Sequence, residues 1–99
     1  MAVTKIDAFD VMYSSNTFVP RIGLKSAGNS IGQLLFKPDG SILPQDGESG
    51  GQVSLYYHLE DFENVINLLR SEKTMHLIYS GSGGGFENGI QTTPQALGA

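Results

Sequence analysis

The chain has 99 residues, ten Asp and Glu against six Lys and Arg, thirteen Gly and no Cys. That length holds one domain around one hydrophobic core, expected to span residues 1–99. The net charge of −4 supplies no general basic face for phosphate neutralisation, so nucleic acid is not an expected partner, and the lack of Cys excludes disulfides, thiolate catalysis and cysteine-held metal centres.

The N-terminal run Met1–Asp7 has no apolar core of a secretory signal, and no stretch approaches the roughly 20 apolar residues of a membrane span. The expectation is a cytoplasmic protein without membrane attachment. Residues 1–5 are expected to fray. Residues 8–14 alternate, with Phe9, Val11 and Tyr13 on one face and Asp10 opposite, which predicts a strand. Residues 17–25 alternate again, Phe18, Ile22 and Leu24 against Arg21 and Lys25, and should complete a hairpin. Pro20 inside that run predicts an edge position.

After the loop 26–30, Ile31–Lys37 predicts a third strand closed by the turn signal Pro38-Asp39-Gly40. Ser41–Pro44 predicts a short partner strand, and Gln45–Gln52 a polar loop. Val53–Leu59 gives the clearest strand pattern, with Val53, Leu55, Tyr57 and Leu59 on one face and Ser54, Tyr56 and His58 on the other. Phe62, Val65, Ile66 and Leu69 then recur at helical spacing and predict an amphipathic helix over about 61–71. Glu60, Asp61 and Glu63 suit its positive end, Arg70 and Lys73 its negative end. Thr74–Ser80 predicts a strand with Met75, Leu77 and Tyr79 on one face, and Phe86 and Ile90 suggest a short last one. Residues 92–99, with Pro94 and Gly98, are expected to fray.

These elements predict an α+β domain: one antiparallel, meander-like sheet of five to six strands, with a single amphipathic helix packed on one face. The other face is left to water or a second subunit, which points to a homo-oligomer, most simply a dimer.

Catalytic chemistry is hard to place. The run Ser80–Gly89 lacks the Lys and the following helix of a phosphate loop, and its Gly spacing is not that of a dinucleotide fold. It reads first as a flexible connection and second as a nest of backbone donors for an anion. His58 beside Glu60 and Asp61 has the makings of a general base, but those carboxylates already serve the helix start. His58 and His76 match no metal-ligand spacing, and no Ser lies in a nucleophile elbow. No cofactor, metal or catalytic residue is therefore expected.

The function expected is that of a non-catalytic interaction or accessory protein, acting through the open sheet face or an edge strand on a protein partner. The alternative is a protein that binds or sequesters a small anionic metabolite or nucleotide at a subunit interface near the Gly-rich loop. Arg21 or Lys37 would then supply charge, Tyr56 or Tyr79 a stacking surface, and His58, Gly83, Gly84, Phe86 and Asn88 the remaining contacts.

Overall fold

The computed structural model describes residues 2–71 and 74–92. Of the segment 92–99 expected to fray, Thr92 ends a strand, while residues 93–99, with Pro94 and Gly98, and Lys73 lie outside the described residues. The class is α+β, as the patterns require, but the strands form two sheets, not one.

The first sheet has three antiparallel strands in the order β1 (Ala2–Ile6), β7 (Met75–Tyr79), β8 (Gly89–Thr92). The second has five: β2 (Ala8–Met12), β3 (Arg21–Ser26), β4 (Asn29–Lys37), β6 (Gln52–His58) and β5 (Gly47–Ser49). A 3-10 turn, Leu59–Asp61, leads into α1 (Phe62–Ser71), the one α-helix among the described residues. Among the described residues, no helix is long and apolar enough to cross a membrane.

Several expectations are corrected. Residues 2–5, expected to fray, lie in a strand: β1 pairs with β7 from Ala2↔Tyr79 to Ile6↔Met75. Ladder hydrogen bonds hold a segment whose own sequence is only weakly strand-like. The sheet is not a meander, because β4 and β6 run parallel, from Gly32↔Val53 to Lys37↔His58. Parallel neighbours need a long connection, and residues 38–51 provide it. Ser41–Pro44 forms no strand, whereas the polar loop contains β5, which folds back on β6 through the turn Gly50-Gly51. β3 is an interior strand. It begins at Arg21, so Pro20 stands outside the ladder, and the Pro20 carbonyl accepts the Phe36 N–H at 3.0 Å. Phe18 sits in the preceding loop and faces solvent.

Only Asp7 separates β1 from β2, so one nearly continuous chain passes from sheet to sheet there. The Asp7 N–H donates to the Lys25 carbonyl at 3.0 Å. Its carboxylate accepts the Ala27 N–H at 2.9 and 3.2 Å. Ala27 and Gly28 (φ +52° and +81°) form the tight turn between β3 and β4, a geometry in which both central residues take positive φ. Asp7 thus ties the crossing point to the one turn where a non-Gly residue adopts a left-handed backbone.

The apolar faces predicted for β3, β6, β7 and α1 supply much of the core, whereas Val11, Tyr13 and Phe18 are exposed. Ile22, Leu34 and Leu55 share one rung, and Leu24, Gly32 and Val53 the next. Ile6, Met75 and Leu77 of the first sheet and Val65, Ile66 and Leu69 of α1 close the same cluster. Phe36 is fully buried at its end, edge-on to Phe62 at 4.8 Å and stacked on Tyr57 at 5.6 Å between ring centres. Tyr13 continues these rings, edge-on to Phe62 at 5.5 Å.

At Gly32 the smaller sheet reaches β4. A Cβ there would stand 2.6 Å from the Val53 carbonyl oxygen and 3.3 Å from a Leu77 methyl. The first obstacle is backbone and cannot step aside. Gly32→Ala is expected to lower stability by about 1–3 kcal/mol through overpacking. Urea unfolding checks this, and an unchanged midpoint would mean that a Cβ at Gly32 is accommodated beside the Val53 carbonyl.

Candidate functional site

The five-stranded sheet has one face in the core and one turned away from it. Register places Met12, Arg21, Leu35 and Tyr56 across one outer rung, and Asp10, Gly23, Gln33 and Ser54 across the next. Lys37 and His58 pair just beyond Tyr56. Four of the residues singled out from sequence, Arg21, Lys37, Tyr56 and His58, therefore share this face, each half-buried.

Local features hold them. The Tyr56 N–H donates to an Asp46 carboxylate oxygen at 3.0 Å, which satisfies the β6 edge beyond the end of β5. His58 Nε2 lies 2.8 Å from the Ser41 carbonyl. The predicted Pro38 turn forms, with the Ser41 N–H donating to the Pro38 carbonyl at 3.1 Å. Asp39 caps the 3-10 turn by accepting the Glu60 N–H at 2.7 Å. Among the described residues, Arg21 makes no ion pair.

A recess of about 310 Å³ opens around Asp10, Arg21, Gly23 and Gln33. Its floor exists because Gly23 has no side chain: a Cβ there would collide with the Asp10 carboxylate lying over it. On its rim Ser30 and Gln52 exchange two hydrogen bonds, Ser30 Oγ to Gln52 Oε1 at 2.8 Å and Gln52 Nε2 to the Ser30 carbonyl at 2.7 Å.

The other singled-out residues, Tyr79, Gly83, Gly84, Phe86 and Asn88, lie in the segment between β7 and β8. It is not an untethered connection. Asn88 Oδ1 accepts the Ser80 N–H at 2.7 Å, while Asn88 Nδ2 donates to the Gly81 carbonyl at 2.8 Å and to Asp46 at 3.1 Å. Phe86 lies against Gly81 (φ +149°), where a Cβ would stand 3.1 Å from the ring. Tyr79 and Ser82 join through their hydroxyls at 3.0 Å. A recess of about 350 Å³ beside this segment is lined by Ile78, Glu87, Asn88 and Gln91 among others, with Glu87 as its one charged side chain.

The structure thus divides the sequence-derived set. The cations Arg21 and Lys37 line the outer face and not the recess beside the Gly-rich segment. Asp46 connects the two groups, bonding to Tyr56 on one side and Asn88 on the other. Sequence reasoning passed over Asp46 as part of a polar loop. Its only signal was an Asp just before Gly47, a residue type that commonly bonds nearby backbone. His58 and His76 lie in different sheets, and among the described residues no group of three His, Asp or Glu side chains could hold a metal ion.

Tyr57, on the inner side of β6, is the strongly perturbed titratable group. Burial first, then the Asp46 and Asp61 carboxylates, pushes its hydroxyl from 10.0 up to about 12. The cause is structural, since its ring stacks on Phe36 and its hydroxyl approaches Gly89.

Comparison with protein families, with curated proteins and with solved structures found no match to this chain.

Two expectations follow from this geometry. Asn88→Ala should cost about 1–3 kcal/mol, because it strands the Ser80 N–H and the Gly81 carbonyl. Amide exchange at Ser80 should quicken; equal exchange in both proteins would show that Asn88 does not order the segment. Tyr57 gives a pH dependence. Below pH 10 it is protonated in both states; between about 10 and 12 only the unfolded chain loses the proton, so stability falls across that window. The fall should be about 1–2 kcal/mol, allowing for solvent at the half-buried ring. Tyr57→Phe should lack that component in urea titrations at successive pH values.

Proposed function

We propose that the chain is a non-catalytic interaction protein that works as a homo-oligomer and presents the outer face of its five-stranded sheet to a protein partner. The supporting observation is the rung Met12–Arg21–Leu35–Tyr56. Tyr, Met and Arg are the residue types enriched where proteins meet. Here they stand side by side on a face that the helix does not cover. Arg21 is half-buried, with no ion pair among the described residues, and can receive a carboxylate or a backbone carbonyl from a partner. Leu35 and Tyr56 beside it supply apolar area. An antiparallel pair at one side and a parallel pair at the other keep the rung rigid, so little ordering would oppose binding.

The test is quantitative affinity capture with the wild-type chain, with Arg21→Glu, and with Leu68→Ala on the exposed side of α1 as a control. A stoichiometric partner should be held by wild type and control and lost by at least tenfold with Arg21→Glu, at unchanged thermal stability. Equal capture by all three would show that the outer face is not the binding surface.

A further inference from the structure

β2 is an edge strand: its ladder partner is β3, and among the described residues no strand lies on its other side. Edges of this kind are templates for another strand unless they are blunted. This one carries exposed Val11, Met12 and Tyr13, and no Pro or Lys lies between Ala8 and Tyr13 to blunt it. Beside it runs α1. Phe62 packs against Tyr13 just past the end of β2, while Leu69 lies with Ala8 and Phe9 at its beginning, so helix and strand are antiparallel. Between them opens a groove of about 420 Å³, lined by Val11, Phe62, Glu63, Ile66 and Arg70.

We infer that this groove is closed by a second copy of the chain, whose β2 pairs antiparallel with β2 about a two-fold axis at Val11. The inference rests on the reading of the chain as a homo-oligomer and names the surface that makes it one. The two five-stranded sheets then become one continuous sheet, and the outer faces of the two copies join.

Charge selects both the occupant and the register. Glu63 and Arg70 flank the groove about 10 Å apart, two helical turns, and among the described residues neither makes an ion pair. A two-fold axis at the level of Val11 and Ile66 runs the two helices antiparallel, so that Glu63 faces the partner's Arg70 and Arg70 faces the partner's Glu63. In the same register Phe9 lies opposite the partner's Tyr13 on the inner side. Asp10 lies opposite the partner's Met12 on the outer side, within reach of the partner's Arg21. An axis one residue earlier would set the two Asp10 carboxylates against each other, a destabilising cross-strand pair. Self-complementarity of this kind is what a two-fold interface requires.

The test uses the full chain and two single variants, Glu63→Arg and Arg70→Glu, by native mass spectrometry and sedimentation at low ionic strength, where such pairs are least screened. The wild type should be a dimer. Each variant alone should dissociate at least tenfold more readily, since like charges then meet across the axis. Mixed in equal amounts, the two variants should form a heterodimer, because each then offers the charges the other lacks. That recovery also excludes misfolding as the cause of the loss. A wild type that stays monomeric overturns both this surface and the homo-oligomer reading. A wild-type oligomer unaffected by either variant overturns this surface alone.

Discussion

Among the described residues a single ten-residue helix has to close the core of two sheets at once. Neither sheet could be covered by its own helix, so the inner faces of both must converge on Val65, Ile66 and Leu69. The chain satisfies that requirement by passing from β1 to β2 through one residue, Asp7. A longer connection would let the sheets drift apart. Backbone and side-chain bonds from Asp7 to Lys25 and Ala27 hold the angle of the crossing. Gly32 then lets Leu77 of the smaller sheet reach β4.

A second tie lies on the far side of the molecule. Asp46 accepts one hydrogen bond from the β6 edge and one from Asn88, which in turn orders the segment after β7. Asp7 and Asp46 thus join the two sheets from opposite sides, each through a carboxylate that takes up backbone or amide donors. Asp39 does similar work at the helix entrance. In a chain without disulfides, acidic side chains at turns act as the fasteners. That use accounts for part of the excess of Asp and Glu without invoking a cationic partner.

The economy of one helix has a functional consequence. Once α1 is committed to the core, no other helix or strand among the described residues covers the outer face of the larger sheet or the edge at β2. The outer face collects Arg21, Leu35 and Tyr56, and the edge collects Val11, Met12 and Tyr13. Behind the outer face, the inner sides of β3, β4 and β6 belong to the core.

The strands β2, β3, β4, β6 and β7 and the helix were legible in the sequence, and so was the buried side of β3, β6, β7 and α1. Period-two and period-3.6 patterns of Ile22, Leu24, Leu34, Leu55, Val65 and Leu69 report which side of an element avoids water. That alternation also placed Arg21 and Tyr56 on the outward faces of their strands. Periodicity says nothing about which strand lies beside which. The parallel pairing of β4 with β6, the interior position of β3 and the recruitment of β1 and β5 were decided by tertiary packing, where ladder bonds rescue segments of weak local preference. The roles of Asp7, Asp46 and Asn88 arose there too. A polar side chain at a turn has many possible partners, and only the folded chain, by bringing residues twenty or forty positions apart into contact, selects among them.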